Sequence, residues 1–100
     1  MANEMAFISQ PMSGLTENEI LAIRDKTKKY LESHGYQVID SYNPAPSGAK
    51  HDAAGCLARS LTLMAEADIV YFVKGWETAR GCRIEERVAR DYGITCMYQY

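Results

Sequence analysis

The residues best suited to chemistry lie near the chain's end, in GWETARGCRIEERVARDYG, residues 75–93. The spacing starts a helix near Arg80–Gly81 and puts Glu85 in its first turn or so. The positive end of a helix dipole favours an ionised carboxylate, and an ionised carboxylate can act as a nucleophile. The dipole alone also favours an acid at this place, so residue type by itself does not separate a site from ordinary helix structure. Glu86 sits about 100° further round the helix and is expected to pair with Arg83 or Arg90. Arg80 suits either a phosphate at the helix start or a solvated surface. Thr78 suits a cap or the same anion, the cap being the plainer reading. Trp76 either stacks on a nucleobase or closes the sheet end or an oligomer contact. Lys74 reads as a surface lysine before it reads as a phosphate ligand. A thiol near a positive helix end is expected to have a lowered pKa, but Cys82 has no His or second Cys at a useful spacing. It reads as a small packing residue.

The elements that must position these groups alternate. Met5–Ser9 is an apolar strand ended by Gln10–Pro11, since proline cannot continue a central ladder. Ser13–Gly14 is a turn. Thr16 with Glu19 forms a capping box, and Ile20, Ile23, Thr27, Tyr30 and Leu31 recur at helical spacing. Gly35 suits the left-handed position that closes this helix. Tyr36–Asp40 is a second strand, followed by the loop SYNPAPSGAKHDAAG, long enough to suggest function. A second helix spans about Ala53–Glu66, with Leu57, Leu61 and Met64 on one face. Asp68–Val73 is a third strand, apolar enough to be covered on both faces. The third helix is expected to pack through Ile84, Val88 and Tyr92, and Ile94–Tyr98 is the last strand. Met12 and Met64 read as core. The alternation βαβαβαβ implies a parallel sheet with right-handed crossovers. Ligands in such sheets bind outside the carboxyl ends of the strands. Gln10–Thr16, Asp40–Asp52 and Lys74–Glu85 converge there.

Composition limits the function classes. With 100 residues and a formal net charge of -2, one domain over residues 1–100 is expected, without general affinity for nucleic acid. No apolar run is long enough to span a bilayer, and the start, MANEMAFIS, lacks the layout of a secretory signal. Cys56, Cys82 and Cys96 are an odd number of cysteines without CxxC spacing, which argues against a zinc site or a disulfide framework and for a reducing cytoplasm. No cofactor or metal is expected.

Four segments in order carry a resemblance: FISQPMSGL, the NPA at 43–45, EADIVYFVKGW and ARGCRIEERVA. Together they resemble the nucleoside 2-deoxyribosyltransferase superfamily, most closely its small phage-type members, and the likeness extends to the 2'-deoxynucleoside 5'-monophosphate N-glycosidases. It covers nearly the whole chain. The resemblance implies an α/β fold, a flavodoxin-like three-layer sandwich with a four-stranded parallel sheet in the order 2-1-3-4. It also implies cleavage or transfer at an N-glycosidic bond. Glu85, four residues after Gly81, would then attack the anomeric carbon. Thr78, Ala79, Arg80 and Gly81 would hold the 5' end or phosphate. Gln10–Gly14, with Met12 and Ser13, would cover the sugar. Tyr42 and Asn43 suit the wall of its pocket, but Asn43–Pro44 is also an ordinary turn signal. His51 and Asp52 are the nearest candidates to protonate the leaving base.

The chain departs from the family pattern twice. Gln10 stands where a glycine usually lets backbone approach the ligand. Ser60, eight residues before Asp68, stands where a catalytic aspartate is common. A serine hydroxyl donates a hydrogen bond but is no carboxylic acid of tunable pKa. Two readings follow. One is an enzyme acting on a nucleoside or nucleotide. The other is a catalytically inactive module that sequesters a nucleotide-derived ligand or binds a host protein. A homodimer or larger homo-oligomer in the cytoplasm (the host's, if phage-encoded) completes the expectation.

Overall fold

The computed structural model describes residues 3–100. In chain order it holds β1 (Met5–Ser9), α1 (Glu17–Ser33), β2 (Gln37–Val38), α2 (Asp52–Met64), β3 (Ile69–Phe72), a 3-10 turn (Trp76–Thr78), α3 (Arg80–Asp91) and β4 (Thr95–Tyr98). All strand pairs are parallel, in the order β2-β1-β3-β4. The fold is therefore the flavodoxin-like sandwich, in the expected strand order. No helix among the described residues is long and apolar enough to cross a membrane.

The inner strands explain the layers. β1 and β3 pair from Ala6↔Ile69 to Ser9↔Phe72 and are almost wholly buried. Alternate side chains leave a strand on opposite faces. Ala6, Ile8, Ile69, Tyr71 and Val73 face one way and pack with Leu31 of α1. Phe7, Val70 and Phe72 face the other way and pack with Met64 of α2 and Ala89 of α3. One helix covers one face and two cover the other. α1 begins as expected: Thr16 Oγ1 accepts from the amide of Glu19, and Glu19 Oε1 accepts from the amide of Thr16. The Thr16 amide, and after it the Thr16 hydroxyl, hold the Glu19 carboxyl below its ordinary pKa.

Four expectations need correction. β2 is only Gln37–Val38, an edge strand whose pairing with β1 stops at Ala6↔Val38. In α1, Arg24 and Thr27 are buried with Ile20 and Leu31, while Ile23 and Tyr30 stay partly exposed. Met12 is exposed on the loop after β1, not core. In α3 the buried face is Cys82, Glu85, Glu86 and Ala89; Ile84 is exposed and Tyr92 is 81% exposed. That face also has helical spacing, but it turns two acids inward and leaves two large apolar side chains out.

The long loop is tied to α2 rather than loose. The carboxylate of Asp52 accepts from the Ser47 amide at 2.6 Å and from its hydroxyl at 2.9 Å. Arg59 donates to the carbonyls of Asn43 and Ala45. Gly55 lets loop and helix approach: a Cβ there would lie 2.3 Å from Ser47 Oγ and 2.8 Å from Ala49 Cβ.

Candidate active site

A cleft of about 500 Å³ opens where strand order reverses, outside the carboxyl ends of β1 and β3. β1 delivers Gln10 at its exit, with Met12 and Ser13 on the following loop. α2 contributes Ala53, Cys56, Leu57 and Ser60, one stripe of its first turns. The chain leaving the 3-10 turn brings Thr78 and Ala79, and α3 brings Arg80, Gly81, Cys82 and Glu85. A second trough of about 560 Å³ adjoins it, sharing Ala53, Leu57, Arg80 and Gly81 and adding His51, Asp52, Ala54 and Ile84.

Glu85 is the only carboxyl group that lines the cleft among the described residues. It is 7% exposed. The hydroxyl of Ser9, the last residue of β1, donates to Glu85 Oε1 at 2.7 Å. Among the described residues Oε2 accepts no hydrogen bond, and it is not fully sealed: the one sealed, unpaired side-chain atom among them is Gln10 Oε1. Burial pushes the Glu85 carboxyl up to about 7, and the Ser9 hydroxyl partly opposes that. This reverses the dipole expectation, for a physical reason. Glu85 is in the second turn of α3, where the dipole has largely faded, and desolvation disfavours the charged form. Burial likewise pushes the Cys82 thiol up to about 11, so the expected lowering by the helix end is absent.

The start of α3 is unguarded. Its N-cap, Ala79, has no side-chain hydrogen bond, and Thr78 does not cap it: the threonine hydroxyl donates to the carbonyl of Gly75. The 3-10 turn places Thr78 one residue too early, which displaces the expected cap. The first amides of α3 therefore face the cleft without a side-chain acceptor, beside an exposed Arg80 that has no ion pair among the described residues. Added atoms at Gly81 would meet no protein within 4 Å.

Residues 4–98 match a family described as a domain of unknown function, DUF4406. The chain belongs to that family. No curated protein and no solved structure matches it. In this DUF4406 domain the cleft brings together eight of the residues singled out in the sequence: Glu85, Ser60, Gln10, Met12, Ser13, Thr78, Arg80 and Gly81. Asn43 and Trp76 lie outside it. Asn43 Oδ1 accepts from the Ala45 amide, which makes a local turn. Trp76 packs its ring 5.4 Å from those of Phe72 and Tyr98. His51 and Asp52 sit in the adjoining trough, and the Ser47 amide holds the Asp52 carboxyl low. Glu86 pairs with Arg90 at 2.7 Å and also accepts from the Tyr98 hydroxyl, so of its two expected partners it takes Arg90.

Ser9 was not singled out in the sequence. Its signal was present: it is the one polar residue in the strand MAFIS, at the carboxyl end of an inner strand. Among the described residues no group of three or more His, Cys, Asp and Glu side chains is gathered to hold a metal.

Proposed function

We propose that this DUF4406 domain belongs with the nucleoside 2-deoxyribosyltransferase superfamily and binds a nucleoside or nucleotide in the Glu85 cleft. There it cleaves or transfers at the N-glycosidic bond. The observation that carries this reading is the position of Glu85: a buried carboxyl, anchored on one oxygen, with its other oxygen open to a cleft that ends at an uncapped helix N-terminus. Glu85 Oε2 bonds to the anomeric carbon as the carbon–nitrogen bond breaks. The bonding pair leaves with the base, which accepts a hydrogen bond from Ser60 and takes up a proton from solvent. Water or a second base then displaces the carboxylate. An oxocarbenium-like transition state is cationic, and a carboxylate beneath it, itself largely shielded from water, stabilises it strongly. The first amides of α3 and Arg80 suit a 5' phosphate. The wider setting of this reading is the cytoplasm, a phage-type origin and a homo-oligomer.

The test is incubation with a panel of deoxynucleosides and deoxynucleoside monophosphates, with chromatographic detection of free base. Turnover should occur, be abolished by Glu85→Gln, and rise with pH through about 7 as Glu85 ionises. Free base from none of the panel sinks the enzymatic reading for those substrates.

One observation favours a second reading, a binding module without catalysis. Among the described residues no second carboxyl lines the cleft, and Ser60 stands where an acid would be expected to assist the leaving base. Stabilisation by a nucleotide in a thermal-shift screen, with no base released, selects this reading. If no nucleotide shifts the melting temperature, docking to a host protein is what remains.

A further inference from the structure

Buried polar pairs usually lower stability relative to apolar residues of the same shape. Ser9 and Glu85 form such a pair. Ser9 is 1% exposed, at the end of an inner strand, and its hydroxyl donates to Glu85, with the Cys82 thiol also close enough to feel it. Its backbone is already satisfied by the ladder, where its carbonyl accepts from Val73. An alanine would fit the strand. α3 meanwhile turns Glu85 inward and leaves Ile84 partly in water. Such departures from the apolar pattern concentrate at functional sites. The bond also joins residues 76 positions apart, so no local turn or cap requires it.

We propose that Ser9 is the positioning residue of the cleft: its hydroxyl proton ties down Glu85 Oε1, so that Oε2 alone meets a bound ligand. The inference rests on the reading of Glu85 as the acting carboxyl. A hydroxyl has one proton to donate, and it goes to one oxygen. The carboxyl then cannot rotate freely, and its open oxygen keeps a fixed aim. The same bond favours the charged form, so Ser9 also holds part of the Glu85 population ionised at neutral pH. The other titratable groups around Glu85 are few. Cys82 and Arg80 come from α3 and Cys56 from α2. β1 offers none, and Tyr71 of β3 faces α1 on the opposite side of the sheet.

The test is a direct titration of the Glu85 side-chain carboxyl by 13C NMR in the wild type, Ser9→Ala and Ser9→Thr. In the wild type the midpoint should lie near 7. Ser9→Ala should raise it, with proton affinity increasing roughly threefold or more, and Ser9→Thr, which keeps the hydroxyl, should restore it. If Ser9→Ala does not fold, Ser9→Cys, of similar shape with a poor donor, should show the same direction of change. A midpoint that stays put or falls in a folded variant lacking the hydroxyl overturns the proposal. The NMR readout does not depend on turnover. A protein with the expected titration that binds no nucleotide would sink the functional reading and leave the role of Ser9 standing.

Discussion

Glu85 makes the protein's stability depend on pH in an unusual direction. Carboxyls held by ion pairs or hydrogen bonds usually bind protons less tightly when folded. Glu85 binds its proton more tightly, at about 7 against an ordinary value of 4.5, because folding takes it out of water. Its contribution to stability is therefore full below pH 4.5 and fades as pH rises through 7. The size is on the order of 3 kcal/mol across that window. Glutamine has the same shape and no charge to desolvate. Glu85→Gln should thus melt close to the wild type at pH 4 and on the order of 10 °C above it at pH 8. Comparing the two proteins at each pH cancels the titration of every other group, including the depressed Asp52 and Glu19. Melting curves by circular dichroism across that range check it. A constant gap between the two proteins would show that Glu85 titrates normally.

Among the elements, α3 carries both what the sequence showed and what it concealed. Its limits were legible, from Gly81 at the start to Gly93 beyond the end, and so were the inner strands with their unbroken apolar runs. Its rotation was not. Hydropathy points to Ile84, Val88 and Tyr92, spaced four apart; only Val88 packs against the core, and the helix buries Cys82, Glu85, Glu86 and Ala89. Two distant hydroxyls decide it: Ser9 meets Glu85 and Tyr98 meets Glu86. No periodicity within the helix records bonds to β1 and β4. The cap was concealed for a similar reason, since the 3-10 turn that displaces Thr78 leaves no composition signal. Packing does not require glycine at position 81. A methyl there meets no protein atom within 4 Å and would enter the cleft. Gly81→Ala should raise stability by about 0.5–1 kcal/mol, since alanine suits a helix better. It should also weaken binding of any nucleotide that stabilises the wild type. A melt and a calorimetric titration of the same variant check both signs.

At the scale of the molecule, the two faces of the sheet are unequal. α2 and α3 cover one face, while α1 alone covers the other. Beside α1 runs a groove of about 480 Å³, with Ile23, Tyr30, Tyr71 and Val73 on its walls and Lys26 and Lys74 at its margins. It lies on the opposite layer from Glu85, so self-association there would leave the cleft open. The homo-oligomer expected from the sequence should then coexist with full nucleotide binding. Native mass spectrometry with and without ligand reads this, and a purely monomeric species at micromolar concentration would remove the oligomer from the proposal.

The hydrogen bond between Ser9 and Glu85 has a consequence for how the chain can be divided. Its partners come from opposite ends of the sequence, on either side of the exposed loop around Asn43–Lys50. A protein split in that loop yields one piece with the hydroxyl and another with the carboxyl. In the isolated second piece the carboxyl has lost β1, which supplies both its donor and part of its shelter, and it should titrate like an ordinary glutamate. Mixing the pieces should move that titration back toward neutrality only if β1 re-enters the sheet between β2 and β3. A single proton-binding constant would thereby report reassembly of the whole molecule.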